Sequence, residues 1–284
     1  MGSEAYEFAG QGALVFGGGK GIGRAVATEF ARRGARLVVA DIDLEAAHAC
    51  AEAISATGGS AQAMSCDVTS IESVHDAAGA AREWLGEVDL VVNNVGAIIS
   101  GHPEDIPLAE WRRILDLNLF SVIHSNEVFL PAMLARGSGY IVNTASFAGL
   151  YPYATNRMPY VASKAALVAL SESLALYLLP RGIRVSCFCP GPVMTGVMQG
   201  MKSWSENAVM SGPGSQFELI TAEQAAATLA DGMQAGRIFI PTHESVIAEM
   251  RARAESPDQF IRDRIAAFER GELGLPSVPE HFRR

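Results

Sequence analysis

Positive charge is in deficit in this chain. Lys and Arg number 22 against 31 Asp and Glu, a net charge of −9 over 284 residues. Binding to nucleic acid needs a basic patch that this balance does not supply, so no nucleic-acid partner is expected. No apolar run approaches the roughly 20 residues of a membrane span, and no membrane association is expected. The opening MGSEAYEFAGQG has neither a basic region nor an apolar core and does not read as a signal peptide. Cysteine is scarce too, with four residues, Cys50, Cys66, Cys187 and Cys189, at no metal-ligand spacing, and no metal is expected. Cys187 and Cys189 stand two apart in an apolar strand, so they share a face without being able to form an ordinary disulfide. Free buried thiols suit a reducing compartment, and the chain is expected in the cytoplasm. Internal repeats, linkers and low-complexity tracts are absent from the sequence.

What is present is ordinary for a globular enzyme, 49% hydrophobic and 19% charged. Short apolar runs alternate with longer helical patterns throughout. The runs are Ala13–Gly17, Arg36–Asp41, Asp89–Asn93, Tyr140–Ala145, Arg184–Cys189 and Arg237–Pro241, with a weaker one at Ser60–Cys66. Continuous Val, Leu and Ile without alternation is the pattern of strands buried on both faces. Helical segments lie between them at Gly21–Arg33, Leu44–Thr57, Ser70–Leu85, Leu108–Ala135, Pro159–Leu179 and Ala222–Ala235. Such alternation predicts an α/β fold: one doubly wound domain over residues 10–241, with a seven-stranded parallel sheet and helices on both faces. Residues 196–220, rich in Gly, Ser and Met, read as a mobile substrate loop with room for one short helix. Residues 242–284 read as a C-terminal extension, a polar helix over Ser245–Glu269 and a Pro-containing tail, either solvated or open to a partner.

The first strand-to-helix turn reads Phe16-Gly17-Gly18-Gly19-Lys20-Gly21-Ile22-Gly23. Glycines here let the backbone approach a pyrophosphate, and the helix N-terminus offers it free N–H groups and a positive dipole. About twenty residues on, the second strand ends in Asp41, where a carboxylate can take both hydroxyls of a ribose. Asn93-Asn94-Val95-Gly96 closes the fourth strand, Asn143-Thr144-Ala145-Ser146 closes the fifth, and Tyr160-Val161-Ala162-Ser163-Lys164 opens a helix. Ligands of such sheets bind at the carboxyl ends of the strands, so these segments converge on one crevice. Tyr160 and Lys164, four apart, share a helix face.

Together these motifs resemble the short-chain dehydrogenase/reductase family over roughly residues 10–241. The glycine turn matches at 16–23 apart from the family's threonine, where Phe16 stands, and 93–96 match its Asn-Asn-Ala-Gly with Val95 for alanine. Asn118, Ser146, Tyr160 and Lys164 match the family's catalytic positions, and Pro190-Gly191-Pro192-Val193-Met194-Thr195 matches its segment after the sixth strand. The resemblance implies a Rossmann-type dehydrogenase with Tyr160 as acid–base, Lys164 lowering its pKa and holding the nicotinamide ribose, and Ser146 binding the substrate oxygen. Asn118 would interrupt its helix and hold a water between Lys164 and solvent. The expected cofactor contacts are Gly17, Gly19, Lys20, Gly21, Ile22, Gly23, Asp41, Asp67, Val68, Asn94, Gly96, Tyr160, Lys164, Pro190, Gly191, Val193 and Thr195. Asp67 and Thr195 also read as a loop turn and a helix cap.

Two departures matter. Phe16 has no hydroxyl with which to brace the Asn-Asn-Val-Gly turn, so that brace must be missing or built differently. Ser146 and Tyr160 stand fourteen apart around Pro152, so the intervening loop is shaped in its own way. The expected substrate is a hydrophobic secondary alcohol or ketone (aryl, terpene or steroid-like), in a pocket of Ser146, Met158, Met194 and Met198. NAD is favoured over NADP, because Asp41 repels a 2′-phosphate and Ile42 follows it where a basic residue would be needed. Lys20 is expected to neutralise that carboxylate or reach the pyrophosphate. The helix around Tyr160 is apolar on more than one stripe, which predicts a homodimer or homotetramer. A catalytically silent nicotinamide-binding sensor or scaffold of the same fold is the alternative.

Overall fold

The computed structural model describes residues 5–196 and 201–279. The first half alternates strictly: β1 (Gly12–Phe16), α1 (Gly21–Arg32), β2 (Arg36–Asp41), α2 (Leu44–Ala56), β3 (Ser60–Ser65), α3 (Ile71–Leu85) and β4 (Leu90–Asn93). The connections then lengthen: α4 (Leu108–Leu115), a π-helical segment Asp116–Phe120, α5 (Ser121–Arg136), β5 (Gly139–Thr144), α6 (Met158–Leu178) and β6 (Ile183–Cys189). A short pair, β7 (Val193–Met194) and β8 (Ile220–Thr221), precedes α7 (Ala222–Gln234), β9 (Phe239–Pro241), α8 (Val246–Glu255) and α9 (Pro257–Glu269).

Seven strands form one parallel sheet in the order β3-β2-β1-β4-β5-β6-β9, which is the Rossmann-type arrangement expected from the sequence. Period-2 alternation explains why the runs are apolar throughout. Ala13 and Val15 of β1 pack with α1, α2 and α7 on one face. Leu14 and Phe16 pack with α3, α5 and α6 on the other. Helix starts are fixed locally: Asp43 accepts from Ala46 N at 3.1 Å, Ser70 from Ser73 N at 3.2 Å, and Thr221 and Gln224 form a reciprocal capping box. The strand order reverses between β1 and β4, and the crevice opens there, beyond the carboxyl ends of the strands.

Several expectations need correction. The helix predicted over Leu108–Ala135 is interrupted by the π-helical segment at Asp116–Phe120, where one extra residue per turn loosens the ladder. The interruption falls at Asn118, the residue that the family resemblance implied would interrupt its helix. The helix predicted over Ser245–Glu269 breaks into α8 and α9 at Ser256, whose φ of −152° and ψ of 85° are the extended values that a following proline imposes. In the substrate loop, residues 201–219 contain no helix, while Gly196 has 3-10 helical conformation. Residues 158–181 are long and apolar enough to cross a membrane by length and composition, contrary to the reading that no run qualifies. In the fold, however, this stretch is mostly α6, which lies against β5 and β6 with Ser163, Lys164 and Ser171 buried. Its Leu176 and Tyr177 are exposed, as is Leu179 just beyond.

The segments flanking the sheet are not appendages. Tyr6 and Phe8, ahead of β1, are buried, and Tyr6 stacks edge-on against Tyr140 at 4.8 Å between ring centroids. At the other end, Val246 and Phe260 are buried with Leu150, Tyr151 and Phe217 in a cluster capping β5 and β6. Arg253 Nη1 donates to the Leu150 carbonyl at 2.8 Å. The tail then runs alongside the substrate loop, with Leu219 N donating to Ser277 O at 2.8 Å and Ser277 N to Phe217 O at 2.9 Å.

If α9 is part of this core, Phe260→Ala should lower the stability of the whole domain by about 3 kcal/mol, the usual cost of emptying a buried aromatic site. Urea unfolding followed by circular dichroism reads this as one shifted transition. An unchanged midpoint, or a separate early transition, would mean that the extension folds independently.

Candidate active site

The cleft has a volume of about 780 Å³ and runs from the glycine turn to the loop ahead of α6. At its outer end the turn is as tight as its glycines allow. Gly17 and Gly21 take φ of 69° and 53°, and a Cβ on Gly23 would stand 1.9 Å from the Gly17 carbonyl oxygen. Lys20 caps α1 without a side-chain hydrogen bond, so the first amides of the helix keep no internal partner. Gly17, Lys20, Gly21 and Ile22 line the cleft, whereas Gly19 and Gly23 are buried behind it as packing residues. Asp41 accepts from Gly19 N and Asp43 N, each at 3.0 Å, and its side chain borders the cleft beside the exposed Ile42. Lys20 does not neutralise Asp41. Its ammonium lies 2.6 Å from Asp43 Oδ2, two residues past the expected partner.

Further along, Asp67 and Val68 line the wall, and the Asp67 carboxylate also closes a turn by accepting from Thr69 N at 2.9 Å. The missing threonine brace is replaced. Phe16 is buried against Phe129, and Asn94 Nδ2 instead donates to the Gly17 carbonyl at 3.1 Å. Val95 fills the space beside Gly17, where a Cβ would meet its Cγ2 at 3.0 Å. Asn93 Nδ2 donates to Asn143 Oδ1 at 2.9 Å, and Asn143 Nδ2 to Ser171 Oγ at 3.0 Å, tying β4 to β5 and β5 to α6. Gly96, Pro190, Gly191, Val193 and Thr195 complete this part of the wall.

At the inner end, Ser146, Tyr160 and Lys164 come together on one wall. Lys164 is buried, with Nζ donating to the Thr144 carbonyl at 2.7 Å and lying 5.8 Å from the centre of the Tyr160 ring. Burial lowers its pKa to about 8, opposed by the neighbouring Cys187 and Cys189. For Tyr160, burial raises the phenol, while hydrogen bonding with Ser146 and the charge of Arg157 pull it down. Ser146 Oγ accepts from Ala148 N at 3.2 Å, which leaves its proton for the cleft. Asn118 does not touch the cleft. It is fully buried in the π-helical segment, accepts from Ala97 N at 2.9 Å, and donates to Ala97 O at 3.1 Å and Ser163 Oγ at 3.0 Å. Ser163 Oγ in turn donates to the Tyr160 carbonyl at 2.7 Å.

Only part of the expected substrate pocket lines the cleft. Ser146 lines it, but Met158 and Met194 are not among the lining residues and stand half-exposed. Met158 sits two positions before Tyr160 on α6, which turns it to another face of the helix. Met194 alternates with the cleft-lining Val193 on a strand and so points the other way. Met198 lies outside the described residues. The wall is instead made by Tyr153, Arg157, Met210 and Pro213, with Leu275 and Pro276 from the tail. None of these belongs to the expected pocket, although Arg157 stands three residues before Tyr160 and so on the same helical face. The loop around Pro152 is held shut, with Tyr151 Oη donating to Pro213 O at 2.9 Å.

Comparison with known proteins agrees with this geometry. Residues 11–206 match the family described as short chain dehydrogenase. The 7alpha-hydroxysteroid dehydrogenase of Escherichia coli (strain K12) is 37% identical over 194 residues, 68% of this chain and 74% of that one. The cyclohexanol dehydrogenase of Acinetobacter sp. (strain SE19) is 38% identical over 184 residues, 64% and 73% of the two chains. Among solved structures, a Burkholderia phymatum short chain dehydrogenase/reductase in complex with NAD superposes with a TM-score of 0.78 at 30% identity, covering 89% of this chain and 96% of that one.

The rebuilt brace makes a prediction. Phe16→Thr restores the hydroxyl but empties a buried aromatic site, so it should destabilise the fold by roughly 2–4 kcal/mol in urea unfolding. A stability equal to or above wild type would show that Asn94 and Phe16 do not replace the threonine.

Proposed function

The chain belongs to the short-chain dehydrogenase/reductase family, and we propose that it moves hydride between NAD(H) and a hydrophobic secondary alcohol or its ketone. The observation carrying this reading is the meeting of Ser146, Tyr160 and Lys164 at one end of a cleft whose other end is the glycine turn. The residues fit a nicotinamide dinucleotide: a turn too tight for any Cβ at Gly23, open amides at the start of α1, and Asp41 at the ribose position. The NAD complex of the Burkholderia relative and the alcohols named for the two dehydrogenases support the same assignment. When bound, the nicotinamide supplies the hydride acceptor or donor.

The chain's own residues handle the proton. Tyr160 takes it from the alcohol hydroxyl during oxidation and returns it to the ketone oxygen during reduction. Ser146, its lone pair engaged by Ala148 N, donates to the substrate oxygen and holds it beside the phenol. Lys164 contributes a positive charge near Tyr160 and a donor toward the ribose, and Asn118 steadies the start of α6 through Ser163. The apolar lining of Ile98, Tyr153, Met210, Pro213, Leu275 and Pro276 favours a hydrophobic substrate body.

Tyr160→Phe should bind NADH normally by fluorescence titration yet lose about 10²–10⁴-fold in kcat. In the wild type, oxidation needs the phenolate and reduction needs the phenol. Because burial favours the phenol, the oxidation rate should climb with rising pH while reduction falls. Near-native turnover by the variant, or a flat pH profile in both directions, would remove Tyr160 from this role.

Cofactor choice follows from the outer end of the cleft. A 2′-phosphate would meet Asp41, the exposed Ile42 offers no cation, and Lys20 is already paired with Asp43. Efficiency with NAD should therefore exceed that with NADP by at least about tenfold, since like charges in close contact are costly. Asp41→Ala combined with Ile42→Arg should narrow or reverse that ratio. Equal or better efficiency with NADP in the unmodified protein would overturn this assignment.

A further inference from the structure

Arg157 is the most buried arginine in the described chain, with 8% of its surface exposed, and it forms part of the cleft wall beside Ser146, Tyr153 and Tyr160. Its surroundings do not match its charge. Nη2 donates to the Ser211 carbonyl, the guanidinium lies 5.7 Å from the centre of the Tyr153 ring, and Nε is buried without any acceptor. No carboxylate among the described residues is within ion-pair distance of it. Less buried arginines such as these have one: Arg33 has Glu29 and Asp231, Arg136 has Glu87, and Arg264 has Glu249.

A buried cation without a counter-charge is costly, and neither a neutral carbonyl nor a tyrosine face replaces an anion. Pinning the loop at Ser211 needs one neutral donor, which a glutamine supplies, so that contact does not account for a guanidinium. A ligand that brings the missing charge does. We infer that Arg157 receives an anionic group of the substrate, a carboxylate, and that the alcohol oxidised here is an apolar hydroxy acid. This rests on the hydride-transfer reading above and narrows its substrate class. A guanidinium binds carboxylates by charge-assisted hydrogen bonds, and the apolar wall between Tyr153 and Leu275 leaves the rest of the molecule hydrophobic.

The test is a homologous series of hydroxyalkanoates, with the hydroxyl at successive distances from the carboxylate, each paired with its uncharged carboxamide. At its best spacing, wild-type enzyme with NAD should favour acid over amide in kcat/KM by at least about tenfold, the scale of a charge-assisted hydrogen bond. Arg157→Gln should bring that ratio close to one, and Arg157→Lys should keep part of it. Because Arg157 also acts on Tyr160, the variants are judged by the acid-to-amide ratio, in which any common loss of rate cancels. A wild-type ratio near one at every spacing, or a ratio unchanged in Arg157→Gln, overturns the inference. If no alcohol is oxidised at all, hydride transfer is what fails, and Arg157 is read by thermal stabilisation instead. Cyclohexanecarboxylate should then raise the melting temperature of the wild type more than cyclohexanecarboxamide does, with the difference absent in Arg157→Gln. Equal effects of the two ligands on the wild type overturn the inference by that route as well.

Discussion

A single buried ammonium sets much of the geometry around the cleft. Lys164 is 3% exposed, and its Nζ is held by the Thr144 carbonyl at the end of β5. Removing an ammonium from water is unfavourable unless fixed acceptors receive it, and here the acceptor is backbone that cannot move away. The distance from Thr144 to Lys164 thus fixes α6 against the sheet edge. It also requires close backbone contact: a Cβ on Gly149 would lie 2.6 Å from the Lys164 carbonyl oxygen. Tyr160, one turn earlier on the same helix, has its place at the cleft as a consequence.

Behind the ammonium, buried amides carry the same constraint outward. Asn93, Asn143 and Ser171 link β4, β5 and α6 in sequence, and Ser171 Oγ finishes the chain on the Leu167 carbonyl at 2.7 Å. Asn118 does the equivalent between the Val95–Ala97 turn and α6. A regular α-helix would keep Asn118 in register with α4 and α5. The π-helical insertion changes that register locally, and the side chain ends up with three hydrogen bonds, to Ala97 and Ser163, rather than facing solvent. Networks of this sort stabilise one arrangement only when every member is satisfied, so the positions of α4, α5 and α6 are mutually dependent.

The sequence made the sheet legible because each central strand is apolar on both faces, a pattern that short surface segments do not produce. The glycine turn, Asp41, Asn94, Ser146, Tyr160 and Lys164 were legible because their chemistry is tied to fixed positions at strand ends. Features that depend on contacts across the chain were not. Asn94 serves as a brace only because Gly17 comes within 3.1 Å of it, and neither residue alone says so. Met158 and Met194 looked like pocket residues by proximity in sequence, yet helical and strand periods direct them elsewhere. Leu275 and Pro276 reach the cleft through a tail whose composition is that of any exposed end, held there by backbone bonds to the substrate loop. The break at Ser256 was in principle readable from Pro257, since a proline disfavours helical geometry in the residue before it.

Two positive charges are buried at the inner end of the cleft. The chain has a net charge of −9, but that sum describes its outer surface and solubility rather than its cleft. Lys20, 74% exposed and paired with Asp43, is screened by water and salt and contributes little field. Lys164 and Arg157 carry the same formal charge in buried positions on either side of Tyr160, one a turn after it and one a turn before. In a less polarisable surrounding each acts over a longer distance, and both favour negative charge on what lies between them. Burial alone would hold the phenol protonated and keep an anion out. Burial still holds the Tyr160 phenol above its ordinary range, and the Ser146 hydrogen bond and the charge of Arg157 offset only part of that penalty.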